Sequence, residues 1–151
     1  MPCGSFVLDM ERKKPIVLIA GGVGLTPMVS MLEFLLSSGL DTDVVFVQCT
    51  KDESTHAMRM YIDDLSKNEK LSSHVYYSSE ETPENPLSNT QVHQGKFSAK
   101  ELAEIVAQPI AGNDYYFCGP PAFLGMVRNV LEELKVPKNQ IHYEYFGPTE
   151  Q

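Results

Sequence analysis

The chain has 151 residues, the size of one domain with a substantial hydrophobic core. With 42% hydrophobic and 21% charged residues it has the composition of a globular protein and not of a disordered one. The formal net charge of −8, from 12 basic and 20 acidic residues, disfavours nucleic acids and anionic membranes as partners.

The cysteines and histidines show no metal-binding or disulfide pattern. Cys3, Cys49 and Cys118 are scattered and form no CxxC pair, which indicates a reducing compartment, and the four histidines share no ligand spacing. The N-terminus lacks the basic start and apolar core of a signal peptide, and no apolar run approaches the ~20 residues that span a bilayer. We therefore expect a cytoplasmic protein with no metal site and no membrane partner.

The first 14 residues differ from the rest of the chain. A turn and a short strand run through residue 9, and a polar link follows. We interpret residues 1–14 as the remnant of a preceding unit and its linker, with residues 15–151 forming the domain. A disordered or edge-strand N-terminus fits the same pattern.

A glycine-rich turn follows the first predicted strand. The apolar run at 15–20 is typical of a strand buried on both faces, and a helix is predicted over 27–37. Between them lie Gly21, Gly22, Val23, Gly24, Leu25, Thr26 and Pro27, with Thr26 as expected N-cap and Pro27 as first helical residue. Glycines let a ligand approach the backbone, and a helix N-terminus favours a diphosphate. The pattern is GxGxxP, not GxGxxG, so a simple tight turn is the alternative.

Strands and helices alternate along the remainder. Strands are predicted at 43–49, 71–78, 115–118 and 141–146, and helices at 55–67, 98–107 and 122–134; residues 79–96 form a long polar loop. Ser54 or Thr55 is expected to cap the first of these helices, and Ser98 with Glu101 forms a capping box for the second.

This alternation predicts an α/β fold, a doubly wound five-stranded parallel sheet in three layers. With strand order 3-2-1-4-5, the turns 21–27 and 118–121 lie side by side where the winding reverses. Ligands of such sheets bind in the crevice at that point. The second turn contains Cys118, Gly119, Pro120 and Pro121.

Three segments resemble the pyridine-nucleotide domain of ferredoxin–NADP⁺ reductase-like flavoenzymes. They are Gly22 to Pro27, Tyr116 to Pro120, and Ile141 to Pro148, and the last is most similar to the flavohaemoglobins, a family of nitric oxide dioxygenases. Pro2 to Phe6 resembles the end of that family's flavin barrel. The resemblance covers nearly the whole chain.

The resemblance implies roles for the matching residues. Gly22 and Gly24 would approach the pyrophosphate, and Thr26 would lie near the nicotinamide and flavin. Cys118 would sit beside the nicotinamide C4, Glu144 at that end of the cleft, and Phe146 over the flavin or nicotinamide ring. Hydride transfer needs donor and acceptor ~3–3.5 Å apart, so the domain's task would be positioning. Each residue also has a structural alternative: a buried apolar cysteine, a solvated strand carboxylate, C-terminal core packing.

The cofactor expected is NADH, and NADPH is disfavoured. A ribose 2′-phosphate favours Arg or Lys at neighbouring strand ends. The third predicted strand is instead followed by Ser78, Ser79, Glu80 and Glu81, and Lys51 is offset by Asp52 and Glu53.

The sequence contains neither an Arg-x-Tyr-Ser-type flavin motif nor a globin. We therefore expect FAD to reside in a flavin barrel and haem in a globin, both absent from this chain. The isolated chain should bind NADH weakly and transfer no electrons unaided. The reductase of an oxygenase, a cytochrome b5 reductase-like protein and a non-catalytic nucleotide sensor remain alternatives. A flavodoxin-like domain is disfavoured, because the turn at Thr26 and Pro27 lacks the hydroxyl-rich phosphate loop that would hold FMN.

Overall fold

Six parallel strands and four α-helices make up the described part of the computed structural model, which covers residues 14–22, 25–39, 42–79 and 82–145. The strands are β1 (Ile16–Gly21), β2 (Val44–Thr50), β3 (Leu71–Tyr77), β4 (Thr90–Gln94), β5 (Asp114–Gly119) and β6 (Ile141–Tyr145). The helices are α1 (Leu25–Ser37), α2 (Arg59–Leu65), α3 (Ala99–Ile105) and α4 (Pro121–Glu133). The interpretation of residues 1–14 as a remnant of another unit stays a prediction, because residues 1–13 of that segment lie outside these ranges.

The sheet has the order β4-β3-β2-β1-β5-β6, and every pair is parallel. The α/β class and the order of the five predicted strands are confirmed. The number of strands is wrong by one, because residues 90–94 of the predicted loop pair with β3 at the edge of the sheet. This strand is polar, so its sequence shows no hydrophobic pattern. Backbone hydrogen bonds to β3 hold it in the sheet.

Helices cover both faces of the sheet and give the predicted three layers. On one face Leu18 and Phe46 pack with residues of α1, among them Met28 and Leu32. On the other face Val17, Ile19 and Phe117 pack with residues of α3 and α4, among them Leu102, Val127 and Leu131. The central strand β1 is buried along its whole length, which explains its continuous apolar sequence.

Two helix starts differ from the prediction. Helix α1 begins at Leu25, so Thr26 lies in its first turn and is not the N-cap; Pro27 still occupies the first turn, where a missing N–H costs no hydrogen bond. The helix expected over 55–67 divides into a 3₁₀ turn at Glu53–Thr55 and the shorter α2. Asp52 caps that 3₁₀ turn, in place of Ser54 or Thr55.

Ser98 caps α3 as predicted and accepts a hydrogen bond from the backbone N–H of Glu101. Among the described residues, no helix combines the length and apolarity that crossing a bilayer requires.

Candidate functional site

Two strand-to-helix turns leave the same edge of the sheet side by side. Strands β1 and β5 are parallel neighbours, with Ala20 opposite Cys118. A Cβ atom built on Gly22 would lie 3.7 Å from Cδ of Pro120. The predicted proximity of the two turns is therefore confirmed, while Val23 and Gly24 lie outside the described residues.

The first turn presents an exposed backbone to the start of a helix. Gly22 is exposed and has a φ of +54°, a conformation that favours glycine. Thr26 is exposed in the first turn of α1, while Leu25 and Pro27 are buried beside it. That first turn holds no acidic side chain, so nothing in it opposes a negatively charged ligand at the helix N-terminus.

Two further glycines at this edge are explained by packing against one phenylalanine. A Cβ atom on Gly21 would lie 2.5 Å from ring carbons of Phe123 in α4, and one on Gly119 would lie 2.6 Å from the same ring. Both glycines are buried. Sequence reasoning assigned Gly21 and Gly119 to ligand binding and did not single out Phe123, because no local pattern links the three residues.

The three candidate catalytic residues lie at this end of the sheet. Cys118 in β5 pairs with Glu144 in β6, and it packs in the cluster that contains Leu25 and Met28 of α1. Cys118 is fully buried and Glu144 partly buried, whereas Thr26 is exposed. The register therefore brings Cys118 and Glu144 together, and the roles of all three residues remain predictions.

Two of the remaining candidates form the second turn, between β5 and α4. Pro120 is the N-cap residue of α4, with an extended backbone, and Pro121 is the first helical residue, a position where proline's missing N–H is tolerated. Phe146 lies outside the described residues.

A recess of about 270 Å³ opens at the ends of β2, β3 and β4. Its walls combine apolar side chains with three hydroxyl-bearing side chains and one ammonium group; the lining residues are Cys49, Thr50, Tyr76, Ser78, Gly95, Lys96, Phe97 and Met126. Cys49 lies opposite Gly21 in the sheet, so the recess adjoins the glycine turn. Burial raises the pKa of the Cys49 thiol to about 12, which keeps it neutral. Sequence reasoning did not single out Lys96, because no local pattern shows that residue 96 lies beside the ends of β2 and β3.

The long segment after β3 is tied to the segment after β2. Both oxygens of the Glu53 carboxylate accept backbone hydrogen bonds, one from Glu84 (3.0 Å) and one from Asn85 (2.9 Å). Asp63 of α2 accepts a further one from Asn89 (2.8 Å). The hydrogen bonds from Asn85 and Glu84 hold the pKa of Glu53 below its usual range.

No cluster of metal-ligating side chains occurs in the described ranges, and Cys49 is a free cysteine. Two histidines are buried with hydrogen-bond partners: His56 with the Tyr77 hydroxyl at 2.8 Å, and His74 with Ser72 and His93, each at 2.9 Å. Burial lowers the pKa values of His56 and His74 to about 4.

Comparisons with known proteins agree with this geometry. A family model described as an oxidoreductase NAD-binding domain matches residues 18–129. A flavohemoprotein of Bacillus subtilis is 35% identical over 147 residues, and one of Bacillus cereus is 37% identical over 148. Each match covers 97% of this chain, which spans only 36% of the length of either relative.

Two solved structures of NAD-binding proteins are also similar to this chain. The flavohem-like FAD/NAD-binding domain of nitric oxide dioxygenase from Vibrio cholerae is 32% identical with a TM-score of 0.78, covering 95% of this chain and 54% of that one. The CS-b5R domains of human Ncb5or in the NAD⁺ form are 25% identical with a TM-score of 0.76, covering 93% and 39%.

Proposed function

The chain belongs to the family of oxidoreductase NAD-binding domains, and from that premise we propose that it binds NADH and positions the nicotinamide ring for hydride transfer to FAD. The observation that carries the proposal is the proximity of the two turns after β1 and β5. In a doubly wound sheet, the crevice between such turns is where a dinucleotide binds.

The turn after β1 fits the diphosphate. Gly22 exposes its backbone without a side chain, and the N-terminus of the 13-residue helix α1 supplies unpaired N–H groups and a partial positive charge. Thr26 adds an exposed hydroxyl in the same turn. We therefore assign the diphosphate to Gly22, Thr26 and the intervening backbone.

The two halves of the dinucleotide then extend in opposite directions along the sheet edge. We place the nicotinamide over β5 and β6, near Cys118 and Glu144, where Gly119 and Pro120 shape the turn. The adenosine half then reaches the recess at the ends of β2 and β3, whose volume of about 270 Å³ and apolar walls suit a base.

Positioning is the chemical contribution that we assign to this chain. When bound, NADH supplies the hydride, two electrons with one proton, from its nicotinamide ring. Residues at the two turns would fix that ring so that donor and acceptor atoms come within ~3–3.5 Å. The buried thiol of Cys118 would act as a small apolar contact beside the ring.

For the larger protein, we propose a flavin barrel and a globin as partners, in which a haem would combine NO, O₂ and one electron supplied through the flavin into nitrate. Support comes from the relatives called flavohemoproteins and the structure described as part of a nitric oxide dioxygenase. The likeness to human Ncb5or favours a second candidate, a reductase with another terminal acceptor. The sequence of the gene next to this segment discriminates between the two.

The binding proposal is tested on the 151-residue chain by NMR titration with NADH. We expect saturable shifts at residues of both turns, and Gly22→Ala should weaken binding at least tenfold because its methyl group enters the crevice. Gly39→Ala is the matched control: Gly39 also has positive φ, +76°, but lies past the end of α1 in open space. Both variants carry similar backbone strain.

A wild-type chain that binds neither NADH nor NADPH would refute the nucleotide proposal. Equal weakening by both glycine variants would show that binding depends on overall stability and not on the crevice. For hydride transfer, Cys118→Ala in the full-length protein should lower flavin reduction by NADH; a nucleotide sensor would keep its function.

A further inference from the structure

The carboxylate of Glu53 and the guanidinium of Arg59 together bind the backbone of the segment that follows β3, at Glu84 and Asn85. We call this arrangement the clasp. Glu53 accepts hydrogen bonds from the backbone of Glu84 and Asn85 and pairs with Nη2 of Arg59 at 3.3 Å. The same Arg59 nitrogen donates to the carbonyl oxygen of Asn85 at 3.0 Å. The two side chains are only 22% and 18% exposed, so the pair is largely shielded from water.

The turn that carries Glu53 is itself firmly held. Asp52 accepts hydrogen bonds from the Thr55 backbone at 3.1 Å and the Ser54 hydroxyl at 2.6 Å, and the Thr55 hydroxyl accepts one from the Asp52 backbone at 3.1 Å. Thr50, the last residue of β2, contacts the Thr55 hydroxyl at 2.7 Å. Glu53 therefore starts from a fixed backbone and is pre-positioned for its partners.

The clasp lies at the adenosine end of the crevice. Beyond the paired strands, Ser78 and Ser79 donate backbone hydrogen bonds to the carbonyl oxygens of Thr50 and Lys51. Ser78 and Thr50 line the recess, and Glu53 follows Thr50 by three residues. In doubly wound folds, groups after the second strand read the ribose 2′ position: a carboxylate accepts from a hydroxyl, and an arginine pairs with a phosphate.

Arg59 is the arginine that a 2′-phosphate would require, and Glu53 already occupies its guanidinium. The carboxylate also adds a negative charge that repels a phosphate dianion. We propose that Glu53 determines specificity at this site, disfavouring NADPH by engaging Arg59 and by its own charge. This inference rests on the proposed binding of NADH.

The test compares dissociation constants of the 151-residue chain for NADH, NADPH, 5′-AMP and 2′-AMP, measured by calorimetry or NMR titration. Glu53→Gln is nearly isosteric, removes the charge and frees Arg59. We expect it to raise the affinity for 2′-AMP and NADPH relative to 5′-AMP and NADH by about threefold to tenfold. The double variant Glu53→Gln with Arg59→Ala should lose most of that gain.

Asp64→Asn is the matched control. It removes one negative charge from α2, where the exposed Asp64 pairs with Lys67 at 2.9 Å, and leaves the clasp intact. Reduced nicotinamide mononucleotide, which lacks the adenosine half, should bind all variants equally. Lys96, in the recess, is common to every variant and does not affect the comparison.

Three results would overturn the inference: a wild-type preference for NADPH, an unchanged selectivity ratio in Glu53→Gln, or an equal change in Asp64→Asn. A loss of affinity for all four ligands in Glu53→Gln would show a purely structural role for the clasp. Failure of the wild-type chain to bind any nucleotide would instead refute the proposed function, so the two failures are distinguishable.

Discussion

The Phe123 ring packs against Gly21 and Gly119, so a methyl group added at either glycine should destabilise the fold. In Gly21→Ala the new methyl carbon would lie 2.5 Å from two ring carbons of Phe123, well inside van der Waals contact. Gly21 has no positive φ, so the cost is steric and not conformational. Overpacking of this kind destabilises a fold by about 1–3 kcal/mol. For a domain of this size that lowers Tm by roughly 2–12 °C.

Removal of the ring should relieve the clash. Phe123 is partly buried, so Phe123→Ala alone should cost about 1–3 kcal/mol, less than the truncation of a fully buried phenylalanine. The double variant with Gly21→Ala should be less destabilised than the sum of its parts by about 1–2 kcal/mol. Gly119→Ala should be rescued less, because its methyl carbon would also lie 3.0 Å from the carbonyl oxygen of Gly21.

Urea denaturation followed by circular dichroism measures these free energies of unfolding for the wild type, three single variants and two double variants. Strict additivity of Gly21→Ala with Phe123→Ala would refute the argument, because it would mean that the ring does not set the requirement for glycine. Equal coupling energies for Gly21 and Gly119 would refute the role assigned to the backbone oxygen.

Three further predictions concern buried polar groups. Gln140→Ala should destabilise the fold by about 1–3 kcal/mol in urea denaturation, because its amide donates to two backbone carbonyls of the connection before β5. The pKa values of His56 and His74 are lowered to about 4 in the folded chain, so below pH 6.5 the unfolded chain binds more protons than the folded chain. The free energy of unfolding should therefore fall as the pH drops from 6.5 toward 4. NMR titration should show both imidazoles neutral at pH 6. Cys49 should react with iodoacetamide at pH 8 far more slowly than in the urea-unfolded chain, as measured by mass spectrometry of its peptide.

The strands with strong hydrophobic signals were predictable from sequence. β1 is an uninterrupted apolar run because helices cover it on both faces, and most of β2 and β5 is likewise apolar or aromatic. β4 gave no such signal, since its sequence Thr90–Gln94 is polar and its pairing with β3 depends on backbone hydrogen bonds. Edge strands of this kind are stabilised by tertiary context and not by local pattern.

The candidate site was predictable in its location and only partly in its components. The glycine turn and the turn at Gly119–Pro121 follow from local rules for strand-to-helix connections. The clasp of Glu53 on the segment after β3 joins residues more than 30 positions apart. No periodicity records such contacts, so the sequence predicts only a long polar loop, whereas the structure shows that Glu53 tethers this segment.

Three glycines at one sheet edge therefore follow from two different physical requirements. Gly21 and Gly119 are buried and admit the ring of Phe123, which holds α4 against β1 and β5. Gly22 is exposed, has positive φ and leaves the crevice open. Substitutions at the first two should change stability first and binding only through it, whereas substitution at Gly22 should change binding beyond its effect on stability. The sequence shows both kinds of glycine in the same way, and only the contacts in the folded chain show which glycine makes room for a side chain and which keeps the crevice open.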